Sequence, residues 1–156
     1  MKSNSEFYRS LALEVKALID EDWITSLANL SALLKQNLKD TNWIGFYLYK
    51  NEELVLGPFQ GLPACTRIKM GRGVCGKSAE SRKSLRVRDV HEFVDHIVCD
   101  SNSRSELVVP LLKGDRLIGV LDLDSPLIDR FDSIDQIGIE YIAEMISMNI
   151  AWPDRL

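Results

Sequence analysis

The sequence predicts an α+β fold in which an antiparallel sheet of about six strands is flanked by N-terminal and C-terminal helices. Three observations predict it. Apolar residues recur at helical spacing at both ends of the chain. Between the ends, short apolar or aromatic stretches alternate with polar or glycine-bearing turns, as in hairpins. The 156 residues, 46% hydrophobic and 27% charged, have the length and composition of one globular domain spanning 1–156. Strands bracketed by helices, not alternating with them, are the pattern of α+β folds.

Residues 5–39 carry two amphipathic helices. Ser5 is placed to cap the first, along which Phe7, Leu11, Val15 and Leu18 recur, and Leu27, Leu30, Leu34 and Leu38 repeat the pattern after a break near Asp20. From Asn42 to Lys50 the pattern changes to aromatic and β-branched residues, and Asn51-Glu52-Glu53 separates this strand from Leu54-Val55-Leu56 as a hairpin. Ala64 to Met70 alternates weakly, and Leu85 to Val87 is a short strand. Between them Gly71 to Ser84 is a glycine-rich turn with at most two helical turns. His91 to Arg104 lacks periodicity and reads as a loop. Leu107–Leu112 and Leu117–Leu123 form a second hairpin about Gly114-Asp115. The last helix begins at Asp132 or Ser133, with Gln136 placed to complete a capping box, and runs to about Ile150.

The charge balance, 19 Lys and Arg against 23 Asp and Glu, gives −4, so no overall basic field draws in nucleic acid or anionic lipid. No apolar run approaches the ~18 residues of a membrane span, and Met1-Lys2-Ser3-Asn4-Ser5-Glu6 lacks the apolar core of a signal peptide. The expected compartment is the cytoplasm, and the expected partner is a small molecule or a protein. Three cysteines, an odd number in a reducing compartment, argue against a structural disulfide framework and leave packing, metal binding or redox chemistry.

Gly71-Arg72-Gly73-Val74-Cys75-Gly76-Lys77-Ser78 matches a phosphate-loop pattern, and Leu117 to Asp122 resembles the acidic strand that accompanies one. The context argues against nucleotide binding. The preceding Thr66-Arg67-Ile68-Lys69-Met70 carries two cations where a central parallel strand would be apolar, and the following segment is short and polar. What remains is a glycine turn exposing Cys75 near a helix start.

Cys65, Cys75 and Cys99 contain no C-x-x-C pair. With His96 they could assemble a zinc site, though without the paired knuckle spacing. Packing is the ordinary fate of a free cysteine. Against it, Cys75 follows a glycine turn and Cys99 lies in a polar stretch, the partial exposure that a reactive thiol needs. Asp122 and Asp124, two apart in a strand, share a face with Ile118 and Val120, and Glu106 on the preceding strand could join them across the sheet. Such a stripe is either a solvated face or a pocket wall. In a pocket, crowded carboxylates hold a proton near neutrality or attract a cation. Trp43 and Tyr47, four apart, also share a face and either pack the core or line a cavity.

Five ordered stretches, Asn42 to Tyr47, Gly57 to Gly61, Gly71 to Gly76, His96 to Asp100 and Gly119 to Ser125, together resemble the free methionine-(R)-sulfoxide reductases, a catalytic branch of the GAF domains. The resemblance covers roughly Ser5 to Ile150. It implies a single GAF domain that reduces free L-methionine (R)-sulfoxide with electrons from thioredoxin, as a homodimer and without a metal or organic cofactor. It also implies roles: Cys99 as catalytic thiol, Cys65 as principal resolving thiol and Cys75 as a third thiol. Glu106, Asp122 and Asp124 become acidic pocket residues, with Glu106 and Asp124 also catalytic, and Trp43 and Tyr47 become the aromatic wall. The competing expectation is a non-catalytic GAF sensor that binds a small ligand and signals through its terminal helices.

Overall fold

The N-terminal helices form where the apolar spacing puts them. α1 (Ser5–Leu18) buries Tyr8, Leu11, Ala12 and Val15, and α2 (Trp23–Asn37) buries Leu27, Leu30 and Leu34. The cap of α1 is Asn4, whose side chain accepts the Phe7 N–H at 2.8 Å, so Ser5 is the first helical residue and not the cap. Asn offers the same side-chain acceptor one position earlier. The computed structural model describes residues 4–97 and 99–156; Met1 to Ser3 of the leader reading and Val98 of the 91–104 loop lie outside them.

Six strands, β1 (Trp43–Lys50), β2 (Glu53–Gln60), β3 (Arg67–Lys69), β4 (Leu85–Val87), β5 (Ser105–Lys113) and β6 (Arg116–Ser125), form one sheet in the order β3-β2-β1-β6-β5-β4. Every adjacent pair is antiparallel. β2 runs past the expected Leu56 through Pro58, because β3 covers only Glu53 to Val55 and leaves the rest of β2 an edge, where a missing N–H costs nothing. α3 (Gly73–Ser81) sits between β3 and β4, half a turn longer than expected, and a short 3₁₀ turn (Val90–Glu92) opens the 91–104 loop.

α4 (Ser133–Asn149) has a capping box, closed by Asp135 and not by Gln136. Asp132 accepts from the Asp135 N–H, and Asp135 accepts from the Asp132 N–H, each at 2.9 Å. With Asp132 as cap, the third helical residue is 135, and Gln136 is one position too late. Asp135 also accepts the Tyr8 hydroxyl at 2.7 Å and pairs with Arg130 at 3.1 Å, which ties α1 to α4.

The sheet has two unlike faces. On one, α1, α2 and α4 enclose the larger core around Leu11, Leu30, Ile44, Phe46, Leu121, Leu123 and Ile142. On the other, Trp43, Tyr47, Val108 and Val120 meet Val74 and Cys75 of α3. Ile118 was expected beside Val120 but packs in the helix-side core. Leu111 pairs with Gly119 whereas Leu112 pairs with Leu117, so a bulge skips Ile118 and turns its side chain over.

Candidate active site

The pairing register sets the floor of a pocket on the α3 side. Asp124 lies between Trp43 on β1 and Glu106 on β5, and Asp122 lies between Gly45 and Val108. Directly paired residues project to the same face, so three carboxyls from two strands converge beside the aromatic wall. Trp43 stacks on Tyr47 at 5.9 Å between centroids and on Phe59 at 5.1 Å. Gly45 permits this: a Cβ there would run into Phe59 and Trp43.

α3 brings Cys75 over the acids, its Sγ 4.0 Å from Glu106 Oε2. Cys75 is 5% exposed, Glu106 6% and Asp122 5%, while Asp124 is half-buried. The remaining walls are two loops. Residues 61–65 bring Ala64, with Cys65 next to it in the chain, and residues 91–104 bring His96, Ile97, Cys99 and Asp100. Cys65 and Cys99 are joined by a disulfide, with their Cα atoms 5.5 Å apart. The cavity left between these walls is small, about 40 Å³.

Each loop is tied down by a polar tip that the sequence reading left out. Trp43 Nε1 donates to the Leu62 carbonyl at 3.1 Å and the Tyr47 hydroxyl to the Cys65 carbonyl at 2.9 Å. Asn42 Nδ2 donates to Asp100 Oδ2 at 2.9 Å and to Ser103 Oγ at 3.0 Å. Asn42 opens the first resemblance motif, and that was its only sequence signal.

Burial governs the electrostatics. It pushes the Glu106 carboxyl well above its ordinary value, with the Asp122 and Asp124 charges adding to the effect, and it raises Asp124 strongly, with the Asp122 and Asp100 charges adding and a Glu106 hydrogen bond opposing. Asp122 is also raised by burial, but hydrogen bonds from Glu106 and Cys75 favour its charged form. The Asp122 Oδ1 is buried and has no hydrogen-bond partner among the described residues. Burial and then the three acids push the Cys75 thiol well up, and they raise the Tyr47 phenol as well. Burial lowers His96.

The zinc set of three cysteines and His96 does not assemble, because Cys65 and Cys99 are consumed in the disulfide. Among the described residues, the cluster able to hold a small cation is Cys75, Glu106 and Asp122, with ligand atoms all within 4.8 Å of one another. The phosphate-loop residues are otherwise engaged: Lys77 Nζ donates to the Val94 carbonyl at 3.3 Å and the buried Ser78 hydroxyl to Lys83 at 2.7 Å.

Chemically, the site offers a disulfide beside the pocket, carboxyls whose protonated form is favoured by burial, and an apolar aromatic wall. A GAF-domain family profile matches residues 11–150. The free methionine-R-sulfoxide reductase of Escherichia coli K12 is 44% identical over 154 residues, covering 97% of this chain and 93% of its own. The free methionine-R-sulfoxide reductase from Neisseria meningitidis, solved in complex with its substrate, superposes with a TM-score of 0.89 at 41% identity, over 94% of this chain and 90% of that one. The reduced form of fRMsr of Staphylococcus aureus superposes at 0.87 with 49% identity, over 90% and 92%.

Proposed function

The chain belongs to the GAF-domain family and, within it, to the free methionine-R-sulfoxide reductases, and from that premise we propose that it reduces free L-methionine (R)-sulfoxide to L-methionine through Cys99. The observation that carries the reading is the Cys65–Cys99 disulfide at the mouth of a pocket floored by Glu106, Asp122 and Asp124.

The Cys99 thiolate attacks the sulfoxide sulfur, and charge builds on the oxygen. A carboxyl whose protonated form is favoured can give its proton to that oxygen, and burial favours that form in Glu106 and Asp124. Methionine leaves and Cys99 holds the oxygen as a sulfenic acid. The Cys65 thiol then displaces it, forming the disulfide and releasing water. Asp122, whose charged form is favoured by hydrogen bonds from Glu106 and Cys75, is suited to meet the substrate ammonium with the oxygen that has no partner among the described residues.

In this cycle the disulfide form is the enzyme after turnover. A dithiol reductant of the thioredoxin class reopens the bond by exchange, which completes a cycle without metal or organic cofactor. The setting we assign is the reducing cytoplasm, with a homodimer as the working form. No described helix is long and apolar enough to cross a membrane. Thioredoxin-coupled turnover of the separated R and S epimers tests the reading. Methionine from the R epimer alone is the expected result; none from either would sink it and leave a ligand-binding GAF module.

A further inference from the structure

The loop that carries Cys99 is fastened to the first turn of α3 through one carboxylate. Asp95 accepts from Arg72 Nε and from an Arg72 terminal nitrogen, each at 2.7 Å, and from the Gly73 main-chain N–H at 3.3 Å. Two parallel bonds from a guanidinium fix direction as well as distance. Arg72 occupies the cap position of α3 and makes no capping bond of its own, so Asp95 supplies from outside the acceptor that the helix start requires.

The backbone around this clasp is shaped for it. Asp95 sits at φ 71, in the left-handed region that a residue with a Cβ keeps only when its surroundings hold it there. Gly73 is also left-handed, at φ 62, and a Cβ on it would press against the Ile97 side chain at 3.1 Å, so the loop lies flat on the glycine. Lys77 adds a bond to the Val94 carbonyl at 3.3 Å and stands 4.9 Å over the Phe93 ring. Beyond the clasp, Ile97 and Cys99 turn into the pocket.

We propose that Asp95, gripped by Arg72 and Gly73, is the positioning residue for Cys99, setting its sulfur both over the acid floor and within reach of Cys65. The inference rests on the reductase reading for Cys99 as the attacking thiol. Arg72 lines the edge of the pocket, but the pair is open to solvent, with the Arg72 side chain 59% exposed and Asp95 27%, so removing it costs the fold little. The chemistry is more demanding, because a misplacement of about 1 Å can lower a rate ~10²-fold.

The test uses Asp95→Ala, Arg72→Ala, Arg72→Lys and the double alanine variant. The expected result is single-turnover methionine release slowed about 10- to 100-fold in either alanine variant. Substrate KM and melting temperature should hold, Arg72→Lys should recover part of the rate, and the double variant should be no slower than the worse single. Closure of Cys65–Cys99 in the reduced protein by oxidised glutathione should slow in the same variants. Release and closure rates within twofold of the parent, a loss wholly in KM, or additive losses would each overturn the proposal. Closure needs no substrate, so a parent that releases no methionine but shows clasp-dependent closure would refute the reductase reading and leave the clasp standing.

Discussion

The Tyr47 hydroxyl donates to the main-chain carbonyl of Cys65 at 2.9 Å, so a residue of the pocket wall also holds the loop that carries Cys65. Trp43 reinforces it through the Leu62 carbonyl. Tyr47→Phe keeps the ring and its stacking but loses the bond, and should therefore separate the two steps. We expect methionine release in the first turnover to stay near the parent rate while disulfide formation slows about 10-fold, as positioning losses do. Rapid-quench thiol counting measures it, and equal slowing of both steps would instead place the hydroxyl on the substrate.

The three cysteines should behave unequally. Cys99→Ser should abolish reduction, whereas Cys65→Ser should release about one methionine per enzyme and then stall, because only recycling is lost. Cys75→Ser should hurt less: its buried thiol is held protonated beside Glu106 and is a poor nucleophile. Single-turnover assays of the three variants decide the assignment, and normal release from Cys99→Ser would reverse it.

The acid floor was half legible in the sequence. Period-two alternation put Asp122 and Asp124 on one face, and β6 being the centre of the sheet turned that face into a floor and not a solvated side. Alternation also put Ile118 there, wrongly, because a bulge is a property of pairing between strands and leaves no trace in one strand's pattern. The cap at Asn4 and the capping-box partner Asp135 each differ by one position from the sequence expectation, since several neighbouring residues offer the same acceptor and tertiary packing chooses among them. The clasp of Arg72 on Asp95 joins residues 23 apart in sequence through a loop without periodicity, and only the fold brings them together.

Glu106→Gln and Asp124→Asn should each slow the chemical step by about 10² to 10⁴ if its proton goes to the sulfoxide oxygen. In the parent, the same step should fall as pH rises through the raised carboxyl range, because the donor form is lost. A flat profile from weakly acidic to alkaline pH, together with full rates in both amides, would show that the acids only bind substrate.

The same shift fixes the sign of a stability effect. Glu106 has its folded-state pKa raised above the unfolded value, so the folded protein binds the extra proton. Its contribution is fully present below the ordinary carboxyl range, ~4.3 for Glu, and is lost as pH rises through the raised value. Glu106→Gln removes that titration, so its melting temperature relative to the parent should climb between weakly acidic and alkaline pH. A pH-independent difference would mean that Glu106 is ionised throughout.

The free amino acid should be reduced and the same sulfoxide within a peptide should not. The basis is charge: Asp122 presents a buried oxygen without a partner among the described residues, and a substrate ammonium would supply both a donor and a counter-charge. The mouth is confined as well, with Leu62 tied to Trp43, Cys65 to Tyr47 and Asp95 to Arg72, so chain extending from either end of the substrate meets fastened loops. An N-acetyl group removes the ammonium and leaves the Asp122 charge buried and unpaired, a loss of several kcal/mol, or about 10³-fold in kcat/KM. Blocking only the carboxyl end as an amide keeps the ammonium and should cost less. Comparing free, N-acetyl, C-amide and doubly blocked R-methionine sulfoxide should therefore show N-acetylation as the larger penalty. Asp122→Asn should shrink that penalty by slowing the free substrate more than the N-acetyl one. Equal kcat/KM for all four compounds would mean an open cleft that recognises only the sulfoxide side chain, and would place this enzyme among those that repair methionine within proteins.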